Sequence, residues 1–132
     1  MGYESFVEGK ARGKNLVGQL REMGFVLDDG DIRTPQHYLT GLMVLDEETI
    51  AGTQEWAPAY GFDELVEALH HVEELGAAYL ECRGEEGERQ RHVYFGGRWY
   101  RLLTVEACVE EDTAEAARAA ALEALAPYAL PA

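Results

Sequence analysis

Serine is almost missing from this chain. Ser5 is the only one, and no GxSxG elbow surrounds it, so a serine hydrolase would lack a nucleophile in the setting that its chemistry requires. Cysteine is nearly as scarce: Cys82 and Cys108 form no CxxC pair, which removes the signatures of a disulfide scaffold and of a thiolate zinc site and points to a reducing cytoplasm. No apolar run approaches the roughly 18 residues of a membrane helix. The opening Met1-Gly2-Tyr3-Glu4-Ser5-Phe6 has neither the basic nor the apolar region of a signal peptide. The expectation is a cytoplasmic protein with no membrane partner. Basic residues are also few: 11 Lys and Arg stand against 25 Asp and Glu, a formal charge of −14. Such a surface repels phosphate backbones, so direct nucleic-acid binding is not expected. The excess is no tail, since residues 1–66 carry twelve acids and five bases and residues 67–132 thirteen and six.

What is present is ordinary globular material. With 132 residues, 47% hydrophobic and 27% charged, the chain fits one domain. A domain of this size buries about two thirds of its unfolded surface and needs no staple.

Tyr3 to Val7 reads as a strand, and Gly9-Lys10-Ala11-Arg12-Gly13-Lys14-Asn15 as a basic turn after it. Leu16, Leu20 and Met23 recur at helical spacing and Gly24 supplies a stop. Residues 25–27 suggest a short edge segment, 28–31 a turn, and Tyr38 to Leu45 a second main strand. Residues 47–61 have no clean period and read as a loop whose aromatics fold back on the core. Phe62, Leu65, Val66, Leu69, Val72 and Leu75 trace one helical stripe, with Asp63 and Glu64 in its first turn and Gly76 closing it. Beyond Gly76 the period becomes two. Ala78, Leu80 and Cys82 alternate with Tyr79, Glu81 and Arg83, Gly84 to Gly87 turns the chain, and Gly96-Gly97 marks a tight hairpin between residues 91–95 and 98–109. Asp112 to Pro127 predicts an alanine-rich last helix on which Leu122 falls among charged positions. The class is α+β: a mainly antiparallel sheet ending in a three-stranded meander, helices on one face, and an extra C-terminal helix.

The motifs are weak as chemistry. The glycines and bases at 9–15 precede a helix but miss the phosphate-loop spacing, and Asn15 stands where a magnesium-binding hydroxyl is needed, so a nucleoside triphosphatase is rejected. Lys10, Arg12 and Lys14 remain an anion-binding alternative, with the 47–61 loop as the other wall. His70 and His71 are adjacent on a helix and point about 100° apart, which spoils a zinc pair. His37 and His92 read as surface or hydrogen-bonded side chains, and Asp29-Gly30-Asp31 is too short for a calcium loop. No metal or cofactor is implied, and no catalytic residue is assigned. Cys82 alternates with Leu80 and so faces the core as an inert thiol. The densest acids are Glu85, Glu86 and Glu88 on one turn and Glu110, Glu111 and Asp112 past the last strand. A meander brings these to one end of the sheet, where they form one negative patch.

Met1-Gly2-Tyr3 and the segment Tyr79-Leu80-Glu81-Cys82-Arg83-Gly84-Glu85-Glu86, with the strand pair after it, resemble an uncharacterised family of short proteins from actinobacteria and their bacteriophages. The resemblance covers residues 1–8 and 62–106. It implies a ferredoxin-like α+β sandwich and a phage or mobile-element origin, and it carries over no catalytic residue. The alanine-rich last helix departs from that pattern.

The functional expectation is an acidic, non-enzymatic binding protein that docks on a basic, nucleic-acid-handling host protein and inhibits or modulates it. The acid patch would speed encounter, and Trp56, Tyr60 or Leu122 would supply the apolar contact. The alternatives are a small-molecule or nucleotide binder using the anion pocket, and a virion or assembly component. Oligomeric state is open at this level.

Overall fold

The glycines that suggest a turn after Val7 serve instead to let strands close on one another. In the computed structural model, which describes residues 4–27, 30–87, 89–103 and 119, Ser5–Gly13 is one continuous strand, β1. Gly9 has φ +131°, and a Cβ there would run into the Tyr79 carbonyl of the neighbouring strand. Glycine is therefore required for close approach of two backbones rather than for a reversal. The basic turn expected at 9–15 is corrected accordingly: only Lys14 and Asn15 turn, with Asn15 at φ 52°.

Helix α1, Leu16–Glu22, follows, burying Leu16, Val17 and Leu20. Its end is the expected one. Gly24 takes φ +95°, its amide bonds to the Arg21 carbonyl at 2.9 Å, and the Phe25 amide reaches back to Leu20 at 3.1 Å, which is a Schellman closure. Val26 then bridges Arg33, and Asp31–Arg33 forms the edge strand β2, overlapping the expected turn. Strand β3 is Leu39–Asp46. The expected 47–61 loop contains two further strands, β4 (Thr49–Gly52) and β5 (Trp56–Ala57), so it is not irregular throughout. Its period was hidden because all four β4 residues are buried, and a strand buried on both faces shows no alternation.

Helix α2 is Phe62–Leu69, with Asp63 and Glu64 in its first turn. It stops short of the expected Leu75. Glu74 takes φ 57°, and Leu75 already opens strand β6 (Leu75–Gly84) by pairing with Gly13. Val72 and Leu75 keep the helical spacing in sequence, but the sheet captures Leu75, a case of tertiary pairing overriding local pattern. Strands β7 (Arg89–Phe95) and β8 (Arg98–Leu103) complete the meander about Gly96 and Gly97, both at positive φ.

All pairings are antiparallel, in the order β2-β3-β4-β1-β6-β7-β8, with β5 also on β1. The molecule is α+β, as expected. One face of the sheet, carrying Val7, Ala11, Leu42, Ile50, Ala78 and Leu80, packs with both helices into one apolar core. A smaller cluster of Ala77, Tyr79 and Val93 lies on the opposite face. The alanine-rich helix, Leu122 and the strand residues beyond Leu103 lie outside the described residues, apart from Ala119, which is helical and exposed.

Candidate functional site

Three polar constellations stand out, and each is set by strand register. The first lies at one end of the sheet, where β1 pairs with two strands at once: Phe6 opposes Trp56 of β5 and Arg83 of β6, and Ser5 opposes Gly84. The Phe6 and Trp56 rings lie 5.8 Å apart, and the Arg83 guanidinium sits 5.2 Å from the Phe6 centroid. The Glu4 amide donates to Glu85 Oε1 at 2.9 Å, which ties the chain start to the acid turn. Glu4, Glu55, Glu85 and Glu86 are exposed here, and Trp56 is 51% exposed. Glu85, Glu86 and Trp56 thus lie at the same end of the sheet, on opposite sides of β1. Tyr60 is exposed too, but its ring meets Tyr38 at 6.4 Å instead. Strand β8 runs back toward the acid turn as expected, since Leu103 opposes Gln90. Glu88, Glu110, Glu111, Asp112 and Leu122 fall outside the described residues.

Of the three bases proposed for an anion pocket, Lys10 and Arg12 share one face of β1 and Lys14 lies beyond the strand end. Lys10 and Arg12 alternate with buried Ala11 along β1 and so project from the face away from the helices. Arg12 reaches Thr49 Oγ1 at 2.6 Å, Glu48 at 3.2 Å and Asp46 at 3.8 Å. Lys14, past the strand end, lies 3.8 Å from Glu74. Arg12 and Lys14 therefore have carboxylate partners already, and Lys10 stands across from Ala51 of β4 and Tyr79 of β6.

The second constellation occupies the same far face. Glu81 is wholly buried, directly opposite Glu8 in register. It accepts hydrogen bonds from Arg89 Nε and from the Tyr79 hydroxyl at 3.2 Å, and Arg83 spans Glu8 at 2.8 Å and Glu81 at 3.5 Å. The two carboxyls are driven apart. The hydrogen bond with Glu81, then burial, raises Glu8. Burial also opposes ionisation of Glu81, yet the hydrogen bond from Glu8 and the Arg89 and Arg83 charges bring it below its ordinary value. The arrangement favours an ionised Glu81 held by Arg89, Arg83 and the Tyr79 hydroxyl.

The third is a cleft of about 600 Å³ between α2 and the β7–β8 hairpin. Its base is His92, 6% exposed. Gln90 connects His92 to the helix: its amide nitrogen donates to Asp63 Oδ1 at 3.0 Å, and its oxygen lies 2.9 Å from His92 Nε2. With the amide nitrogen claimed by a carboxylate, the oxygen must accept from an Nε2–H, which fixes the tautomer and leaves Nδ1 as an acceptor. Burial first, then the charge of Arg101, pushes the His92 pKa down to about 4, so the ring is neutral at pH 7. Trp99 and His70 stack at 4.1 Å with 15° between planes, bridging β8 to α2 at one side of the cleft. Burial also lowers His70, with His71 adding to the effect.

Half of this cleft is legible in the sequence. A two-residue turn at Gly96-Gly97 forces Phe95 opposite Arg98 and hence His92 opposite Arg101. Nothing local announces that Asp63 would meet Gln90. His92 is hydrogen-bonded, as expected, while His37 is exposed at φ 72° and takes no part. Cys82 faces the core beside Leu80, and burial raises its thiol. Among the described residues no group of three or more His, Cys, Asp or Glu side chains is placed to hold a metal ion, and no helix is long and apolar enough to cross a membrane.

The chain matches no protein-family model, no curated protein and no solved structure.

Proposed function

We propose that this protein acts by binding rather than by catalysis, docking its acidic sheet end on a basic, nucleic-acid-handling protein and blocking or retuning it. The observation that carries this reading is the half-exposed Trp56 at the end of the sheet where Glu4, Glu55, Glu85 and Glu86 are exposed as well. Tryptophan is the side chain most often found at the energetic centre of a protein interface, where its large rigid surface loses little entropy on burial. Carboxylates around it would steer a cationic partner and speed encounter without supplying most of the lasting affinity. Arg83, the one cation of β6, is engaged by Glu8 and the Phe6 ring, so part of its charge is answered there rather than by the exposed acids. The overall −14 charge acts in the same direction at longer range.

The test is capture from cell lysate at low salt, followed by kinetics on the purified partner. Trp56→Ala should accelerate dissociation, with a loss of about 2 kcal/mol or more in affinity if the ring is a hot spot. Glu85→Gln with Glu86→Gln should instead slow association, and added salt should erase that difference. Absence of a basic partner, or a captured partner indifferent to all three substitutions, would sink the reading.

A further inference from the structure

The cleft between α2 and the β7–β8 hairpin has a charge pattern that the docking surface does not use. Asp63 and Glu67, four residues apart on α2, stand exposed on one wall, as the helical repeat requires. Arg101 of β8 stands exposed on the other, directly opposite His92 in register. Among the described residues, Arg101 has no carboxylate within ion-pair distance and Glu67 has no cation. Opposite charges thus line facing walls without meeting. Both walls are close enough for Asp63 and Arg101 to act in opposite senses on the His92 ring between them. Trp99 and the buried Val66 add apolar surface. At the base, His92 turns one nitrogen to Gln90, and among the described residues the other receives no hydrogen bond. The volume, about 600 Å³, is in the range of small-ligand sites.

We infer that this cleft binds a free α-amino acid with a large apolar side chain. The ammonium lies toward Asp63 and Glu67, donating to carboxylate oxygens. The carboxylate lies toward Arg101, whose planar fork matches it in a way that a single point charge does not. The side chain rests on Trp99 and Val66, and the acceptor nitrogen of His92 takes a remaining N–H. Either charged group alone satisfies one wall and leaves the other charge unanswered, so only the zwitterion fits both.

The probes are phenylalanine, its amine counterpart phenethylamine and its carboxylate counterpart hydrocinnamate, titrated into the full chain labelled with nitrogen-15. The Trp99 indole N–H resonance is the reporter, and that of Trp56 is the control. Phenylalanine should shift Trp99 saturably and bind at least about tenfold more tightly than either counterpart, a difference of about 1.4 kcal/mol. Arg101→Gln should weaken phenylalanine about tenfold and leave phenethylamine unchanged, whereas Glu67→Gln should weaken both. Both side chains are exposed, so the unperturbed remainder of the spectrum verifies the fold. The inference is overturned if no probe moves Trp99 at about 10 mM, far above any useful affinity. It is equally overturned if the three probes bind alike, or if Arg101→Gln weakens all of them to the same degree. None of these outcomes touches the sheet-end reading, which concerns Trp56 and a protein partner.

Discussion

Glu81 and His92 are neighbours on paired strands, β6 and β7, and both are buried, yet the fold treats them in opposite ways. Glu81 faces away from the helices, where Arg89, Arg83 and the Tyr79 hydroxyl surround it, and it is held ionised. His92 faces the helices, where Phe62 lies 6.0 Å away and a neutral amide is its hydrogen-bond partner, and it is held uncharged. The difference shows what decides the state of a buried ionisable group. Burial disfavours charge in both, so the neighbours determine the outcome: the hydrogen bond from Glu8 and then the arginines reverse the penalty for Glu81, whereas Arg101 adds to it for His92.

Breaking the ionised member should have the largest effect at neutral pH. Glu81→Ala removes the shared acceptor of Arg89, Arg83 and Tyr79 at once. Loss of one partner from a fully buried pair typically costs about 3 to 5 kcal/mol, but Arg89 and Arg83 are 35% and 44% exposed and can be rehydrated, so a loss of about 2 kcal/mol is expected. Urea unfolding should show that loss as a lower midpoint with an unchanged slope. A loss below about 1 kcal/mol, the level of a surface pair, would mean that the cluster is solvated after all.

The neutral member predicts a pH dependence of definite sign. A histidine with a folded pKa of about 4 and an unfolded value of about 6.5 takes up protons preferentially when unfolded between those values. Stability therefore falls as pH drops through that window, by a total of about 3 kcal/mol, and is unaffected by this group above it. Glu8 and Glu81 titrate nearby with opposing directions, so the clean measurement is the difference between wild type and His92→Gln. The wild-type melting temperature should fall toward pH 4 more steeply than the variant's. Parallel curves would show that His92 is not held neutral.

Much of this contrast was legible in the sequence, and the reasons for the remainder are physical. Period-two alternation assigned Leu80 and Cys82 to one face and Tyr79, Glu81 and Arg83 to the other, and the structure agrees. Helix α1 was legible because Gly24 is a local stop. Gly9 misled because a glycine needed for backbone approach looks the same in sequence as one needed for a turn. Strand β4 was hidden by burial on both faces, and the end of α2 by a pairing between Gly13 and Leu75 that is 62 residues apart in the chain. Of the candidate surface, the Glu85–Glu86 turn could be placed by meander geometry. That Trp56 lies at the same end of the sheet follows from β5 joining the far side of β1, which no local pattern reveals. The Asp63–Gln90–His92 connection is likewise a product of packing α2 against β7.

The smallest expected effect sharpens the comparison with a charge cluster that is far less buried. Arg12 lies on the same far face as Glu81 and also contacts two carboxylates, Glu48 at 3.2 Å and Asp46 at 3.8 Å. Its side chain is 29% exposed and its partners more so, in place of the full burial of Glu81. Water can therefore replace what the ion pairs supply, and Arg12→Ala should cost no more than about 1 kcal/mol, with salt shrinking the difference further. Asp46 should stay below its ordinary value in the variant, because the Glu48 backbone N–H, at 2.8 Å, is the main cause of its lowering and Arg12 a lesser one. Urea unfolding at low and high salt measures the first expectation, and carboxyl titration by NMR the second. If Arg12→Ala proved as costly as Glu81→Ala, burial would not be what separates strong from weak charge clusters on this sheet.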